Sequence, residues 1–145
     1  MLRAGVNVGI GTDGAASNNR LDLFAEMRLA ALLAKGSSGD ATAMPAHKAL
    51  ECATLGGARA LGLQAKIGSI VPGKLADLTA VRLSAPELAP CYDPASHLIY
   101  AAGREHVTDV WVSGERRLAG GELTGLDLQA ITARAAYWKK MVLAS

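Results

Sequence analysis

The sequence predicts a mixed α/β chain made of two unlike parts and closed by a helix. Three observations predict it: an alternating apolar segment near the start that ends in a glycine-flanked aspartate, apolar residues at helical spacing through about residue 61, and short strand-like runs from Ile67 onward. Val6, Val8 and Ile10 alternate with Asn7 and Gly9, the pattern of a half-buried strand. Gly11 and Gly14 on either side of Thr12-Asp13 let the backbone turn where the carboxylate emerges. Ala15 to Arg20 is a polar turn. Leu21 to Lys35 carries Leu21, Phe24, Met27, Ala31 and Leu32 at amphipathic spacing and predicts a helix, which Gly36-Ser37-Ser38-Gly39-Asp40 ends. Thr42 is placed to cap a second helix with Pro45 early in it and Leu50, Ala53 and Thr54 on one side. Gly56-Gly57 follows, and Ala58 to Leu61 continues as a short further turn.

The second part reads as a meander of short strands: Gly68 to Val71, Ala76 to Leu83 with Asp77 at its entry, His97 to Ala101, Val107 to Ser113 and Arg116 to Leu118. Asp109 to Arg116 is a hairpin with Ser113-Gly114-Glu115 in its turn. A final helix begins near Leu126 and runs through Ile131, Ala135, Trp138 and Val142. The sequence shows no internal repeat and no low-complexity tract.

Composition excludes several function classes. Fifteen basic and thirteen acidic residues leave a net charge of +2, with no Lys/Arg run, so no nucleic-acid partner is expected. Half of the residues are apolar, but no stretch approaches the roughly 18 uninterrupted apolar residues of a membrane span. Met1-Leu2-Arg3-Ala4-Gly5 leads straight into the first apolar segment without the order of a signal peptide, and a cytoplasmic protein is expected. Cys52 and Cys91 are far apart and unlike a CxxC pair, the pattern of buried free thiols.

Two motifs match formally. Gly9-Ile10-Gly11-Thr12-Asp13-Gly14 satisfies GxGxxG, but an aspartate would sit beside the pyrophosphate and the helix starts too late. Gly68 to Lys74 satisfies GxxxxGK, but Leu75 stands where Ser or Thr would hold magnesium, and Pro72-Gly73-Lys74 reads as a turn. The informative residue is Asp13, whose carboxylate can bind a metal, move a proton or simply fix a turn. His47, His97 and His106 are scattered, with no HxH or HxxxH pair to accompany it. His47 falls in the second helix and His97 and His106 among the strands, where packing or hydrogen-bonding roles are expected. Asp77 is expected to fix a turn or pair locally, Trp111 and Trp138 to pack, and Arg59 to pair with a carboxylate.

A set of motifs carries a resemblance. Gly11-Thr12-Asp13-Gly14-Ala15-Ala16-Ser17-Asn18-Asn19, Leu21-Asp22-Leu23-Phe24-Ala25-Glu26-Met27-Arg28, Ala58-Arg59-Ala60-Leu61-Gly62-Leu63, Ile67-Gly68-Ser69-Ile70 and Pro72-Gly73-Lys74-Leu75-Ala76-Asp77-Leu78 occur together and in order. In them the chain resembles the C-terminal third of the amidohydrolase superfamily, in the branch of 5′-methylthioadenosine/S-adenosylhomocysteine deaminases and triazine-ring hydrolases. The resemblance implies the fold class as well: the C-terminal fragment of a metal-dependent (β/α)8 TIM barrel, part of a composite β-sandwich, and a C-terminal helix. Residues 1–66 would hold the last barrel strand and following helices, 67–125 the sandwich strands and 126–145 the final helix.

The resemblance implies that Asp13 is both a metal ligand and a catalytic base, serving zinc or a similar divalent ion that activates water for attack on a ring carbon bearing an amine. Ser17, Asn18 and Asn19 then either line the substrate pocket or cap the following helix. The histidines that hold the metal in the family lie on barrel strands this sequence does not contain, and a whole barrel needs roughly 250 residues. The chain is therefore expected to be a fragment that binds no metal by itself. It would work with a small heterocyclic substrate only as an oligomer or in association with the missing barrel portion. The alternative of another class is a non-catalytic interaction or assembly module, for which the unpartnered faces of the first strand and first helix would be suited.

Overall fold

Apolar residues at helical spacing and a buried cap produce the longest helix of the core, α1 (Leu23–Ser38), in the computed structural model, which describes residues 1–144, the side chain of Arg3 apart. Ser145, the last residue of the 126–145 segment, lies outside the described residues. Asp22 rather than Leu21 sets the start of α1: its carboxylate accepts the N–H groups of Phe24 (3.1 Å) and Ala25 (3.3 Å), which have no partner inside the helix. Gly39, in the left-handed conformation with φ 65°, ends it.

The second helix, α2 (Ala46–Glu51), starts from Pro45 and not from a Thr42 cap, because the Thr42 N–H and hydroxyl both turn to Asp40 Oδ1, at 2.8 and 2.6 Å. As expected, the helical path continues past Gly56-Gly57. The chain passes through a π-helical turn, Cys52–Gly56, into α3 (Gly57–Ala60), so the helical path is continuous. Gly56 is there for close approach, since a Cβ on it would stand 2.5 Å from the Val8 carbonyl oxygen, and opposite it a Cβ on Gly9 would stand 3.2 Å from Gly57 Cα.

The sheet has four strands in the order β1 (Leu78–Val81), β2 (Val107–Val112), β3 (Glu115–Ala119) and β4 (Glu122–Leu123), each antiparallel to the next. The β2–β3 hairpin turns on Ser113 and Gly114 alone, both at positive φ (52° and 82°), as a two-residue turn requires. Asp77 fixes it from the side by accepting the Ser113 N–H at 2.6 Å. Asp109 ties the strands from within, accepting from the Arg116 guanidinium and from the Gly120 N–H at 3.1 Å.

Three expected strands are absent among the described residues. Residues 6–10 have no regular assignment and pair with none of the four strands. Residues 68–71 begin in a bend and form no strand, Gly68 having φ 87°. His97 to Ala101 lies in and just beyond a helix, α4 (Pro94–Tyr100), started by Asp93, which accepts from Ala95 N–H (3.1 Å) and Ser96 N–H (3.2 Å), with Pro94 in the first turn. The final helix, α5 (Leu128–Leu143), begins from Asp127, whose carboxylate accepts the Ala130 N–H at 2.9 Å, and none of its residues is buried.

The core lies between α1, α2 and α4. Met27, Ala31, Ala46, Ala49, Ala95 and Ile99 form its buried cluster, with Ile10, Phe24, Met44, Leu50 and Ala53 packed against it. Four of the six buried residues are alanines, which bring the helix backbones close enough for side chains to bond across them. Arg28 of α1 reaches the carbonyls of Ile99 (3.1 Å) and Ala102 (2.7 Å), and Lys35 reaches those of Ala43 (2.7 Å) and Met44 (2.9 Å). No helix of the described residues is long and apolar enough to cross a membrane.

Candidate active site around Asp13

Asp13 stands where the unpaired segment 6–12 ends. The segment lies on the helical path below it, with Ile10 N–H donating to the Cys52 carbonyl (3.1 Å), Asn7 Nδ2 donating to the Gly56 carbonyl (3.0 Å), and the Ile10 side chain against the core. At Asp13 the backbone turns into the left-handed region, φ 59°, an uncommon conformation for a residue with a Cβ and one that aspartate tolerates better than most. The turn is closed locally. Gly14 N–H donates to Asp13 Oδ1 at 2.6 Å, and Ser17 and Asn18 N–H groups both donate to the Gly14 carbonyl, at 3.0 and 2.9 Å.

The electrostatics of this turn favour the ionised acid. The Ser17 hydroxyl, whose proton can go to the carboxylate or to the Gly14 carbonyl at 3.1 Å, and then the Gly14 N–H hold the Asp13 carboxyl below its ordinary range, with slight desolvation opposing them. The carboxylate is exposed, so it begins as an acceptor open to solvent.

The structure brings Asp13, Ser17 and Asn18 into one turn, with exposed Asn19 next along the chain. The Asn18 side chain is engaged: Nδ2 donates to Glu26 Oε1 at 2.7 Å, and Oδ1 accepts from the N–H groups of Arg20 (3.1 Å) and Leu21 (3.4 Å). Leu21 also has positive φ, 48°, and Arg20 Nε pairs with the buried Asp22 at 3.1 Å. Two non-glycine residues at positive φ within one loop mark a backbone held by its surroundings, which is how strained segments persist at functional sites. Asn7 and Glu26 were not singled out in the sequence. The polar Asn7 between Val6 and Val8 was the available signal.

Among the described residues, no three His, Cys, Asp or Glu side chains come together in a group that could hold a metal ion. A structural or catalytic zinc takes three or four such donors, so the described residues by themselves do not fit one, and Asp13 offers a single carboxylate. The histidines stand elsewhere. His47 is exposed and 3.7 Å from Asp93, while His97 Nδ1 lies 3.2 Å from the Asp93 carbonyl in α4, not in a strand. His106 is buried just before β2, where Nδ1 accepts the Gly103 N–H (3.0 Å) and the proton on Nε2 is directed at Glu87 (3.1 Å). Cys52 is buried and Cys91 is exposed, so the expectation of two buried thiols holds for one.

The motif lysine is structural. Lys74 Nζ donates to the Gln64 and Ile67 carbonyls and to Ser69 Oγ, so the lysine is spent on closing the loop on itself. Arg59 pairs with Glu51 of α2 at 2.8 Å. Trp111 lies under the Arg116 guanidinium, 5.6 Å from it, and Trp138 meets Tyr137 edge to face. An apolar cleft of about 560 Å³ lies between α1 and β1, lined by Phe24, Met27, Leu50, Ile67, Leu78 and Leu98 among others; Asp13 does not line it.

Comparison with known proteins places this geometry in context. A model of the amidohydrolase family matches residues 1–117. The 5-methylthioadenosine/S-adenosylhomocysteine deaminase of Moorella thermoacetica is 54% identical over 134 residues, which is 92% of this chain and 31% of the relative. That of Teredinibacter turnerae is 46% identical over 140 residues, 97% of this chain and 32% of the relative. An adenosine deaminase of Xanthomonas campestris, solved with bound zinc, superposes with a TM-score of 0.96 at 53% identity, over 99% of this chain and 33% of its own. An atrazine chlorohydrolase of Arthrobacter aurescens, complexed with zinc, superposes with a TM-score of 0.85 at 31% identity, over 94% of this chain and 30% of its own. The chain thus spans about a third of the length of the relatives it matches.

Proposed function

Because the chain belongs to the amidohydrolase family, we propose that it forms the C-terminal portion of a metal-dependent hydrolase that removes the amino group of a purine-type ring. The substrate class is an adenosine derivative such as S-adenosylhomocysteine or methylthioadenosine, or a related heterocycle. The observation that carries the reading is likeness along nearly the whole chain, 92% and 97% of it, to two proteins named deaminases of those compounds. The same likeness favours an enzyme part over a stand-alone assembly module. In this reading residues 1–66 belong to the end of a barrel, 67–125 to a composite sandwich and 126–145 to the last helix, and the chain works in the cytoplasm in association with the rest of the barrel or as an oligomer.

Asp13 is the chemical contribution of this chain. A divalent metal such as the zinc of the two solved relatives would be held mainly by donors other than this chain's, with Asp13 as one ligand. The Ser17 hydroxyl and Gly14 N–H keep its carboxylate ionised, so it can take a proton from water and later release it to the departing nitrogen. Ser17, Asn18 and Asn19 flank it on the substrate side, Asn18 by shaping the turn through Glu26.

The test is a chimera in which residues 1–145 replace the matching third of the Teredinibacter turnerae deaminase. Deamination of S-adenosylhomocysteine, followed by the ultraviolet change of the purine, is expected in the chimera, and Asp13→Asn is expected to lower kcat by about 10²–10⁴-fold, the usual worth of a general base. A chimera that folds and binds zinc but deaminates no adenosine derivative, or an Asp13→Asn chimera that keeps full turnover, overturns the reading.

A further inference from the structure

The segment that carries Asp13 is fixed at two points on one helical turn. That turn, Cys52–Gly56, is π-helical within an otherwise α-helical path from Ala46 to Ala60. The carbonyl of its first residue accepts the Ile10 N–H at 3.1 Å, and the carbonyl of its last residue accepts Asn7 Nδ2 at 3.0 Å. Between these bonds the two backbones touch. Gly56 has φ −62°, which any residue adopts, so the glycine is required by contact and not by dihedral angle: its Cβ would meet the Val8 oxygen at 2.5 Å. A π turn bonds i to i+5, is wider than an α turn and directs its carbonyls differently, and single π turns inside α-helices concentrate at functional sites.

From Ile10 it is three residues to Asp13, a span of about 10 Å when extended. On the other side the chain is held by Asn18 on Glu26 and by the Asp22 cap of α1. The carboxylate is therefore suspended between two anchors, one on the π turn and one on α1. We propose that Asn7 and the π turn Cys52–Gly56 are a positioning device for Asp13: the Asn7 amide and the Ile10 N–H tie the segment to the two ends of the turn, and the turn sets how far and in which direction the segment delivers the carboxylate. Placement at this level matters to chemistry, because a displacement of about 1 Å at a reacting group costs on the order of 10²-fold in rate. The functional meaning of the device rests on the role of Asp13 given above, while its geometry does not.

The test reads geometry without turnover. Amide hydrogen exchange and the Asp13 carboxyl and Gly14 amide resonances are measured by NMR on this chain and on Asn7→Ala, Asn7→Asp and Gly56→Ala. The Ile10 amide is expected to be protected, and to exchange about tenfold or more faster in each variant, as for a local opening no longer held by its bond. The Asp13 and Gly14 resonances are expected to move, while the amides of Met27, Ala31, Val110 and Trp111 keep their protection. Asn7→Asp, which keeps the shape but loses the amide N–H, is expected to behave as Asn7→Ala. An unprotected Ile10 amide in the unsubstituted chain, or unchanged Asp13 and Gly14 resonances in the Asn7 variants, overturns the proposal. Should Gly56→Ala unfold the helices, Asn7→Ala decides alone, since it removes only atoms beyond Cβ. Exchange behaving as expected in a chain whose chimera shows no deaminase activity would leave the positioning intact and remove the reaction.

Discussion

Arg28→Met removes the tie between α1 and the end of α4. Arg28 Nε donates to Ile99 O at 3.1 Å and Nη2 to Ala102 O at 2.7 Å, and both acceptors belong to residues with no exposed surface. Ile99 lies in the last turn of α4, where carbonyls lack partners inside the helix and a cation also meets the negative end of the helix dipole. A hydrogen bond from a charged group contributes about 1.5–3 kcal/mol. Two bonds share one partly buried side chain and water can enter where it leaves, so the loss is less than their sum, about 2–4 kcal/mol. Methionine retains the apolar stem, so little packing is lost. With a urea dependence of about 2 kcal/mol per molar, the unfolding midpoint should fall by about 1–2 M. The assay is urea unfolding read through Trp111 emission in a Trp138→Phe background. Arg134→Met on α5, which removes an exposed charge, should change stability by no more than about 0.5 kcal/mol. An Arg28→Met midpoint no lower than that of Arg134→Met would refute the claim that these two bonds hold the helices together.

Two further outcomes are expected. Glu51 is held below its ordinary value by Lys48 and then Arg59, Asp93 by the Ser96 hydroxyl, and Asp109 by Arg116. Each carboxylate titrates lower when folded than unfolded, so its contribution is present above the unfolded value of about 4 and is lost as pH falls through the folded one. Stability measured in urea should thus be level from about pH 7 to 5 and decline below about pH 4, with a smaller decline in Asp109→Asn. Burial pushes the Cys52 thiol up, whereas Cys91 is exposed. A thiol reagent should titrate one cysteine at once in the native chain and the second only after unfolding; two fast thiols would contradict the packing around Cys52.

What the sequence made legible follows from how local each cause is. The helix expected from Leu21 appears at Leu23 because its spacing and its acidic cap are written within a few residues. The 107–118 hairpin appears because Ser113-Gly114 fits a two-residue turn and Asp77 closes it. Residues 6–10 show the limit: alternation of Val6, Val8 and Ile10 specifies two faces, but a strand also needs a neighbour, which no spacing within the segment supplies. His97 to Ala101 is a short apolar run that periodicity cannot assign, and the decisive signal lay upstream, in an aspartate followed by proline at Asp93-Pro94. Gly56 carries the same residue type that ends helices, and only the position of Val8 shows that it admits a close backbone instead. For the candidate site, Asp13 was visible through its flanking glycines. Its partners were less so, since the Ser17 contact and the Asn7 anchor depend on how the chain folds back.

The full exposure of α5 has a consequence for cooperativity. A sixteen-residue helix that buries no side chain is close to the length of about 12–15 residues at which isolated helices are marginal in water. Its order is set by the Asp127 cap and by temperature, and not by the packing that holds α1, α2 and α4 together. Heating should therefore release two signals from one chain: a gradual loss in α5, seen by Trp138 against Tyr137, and a sharp transition in the rest, seen by Trp111 beneath Arg116. The two tryptophans are thermometers of different bodies, and total emission would blend a fraying curve with a melting curve into a midpoint that belongs to neither.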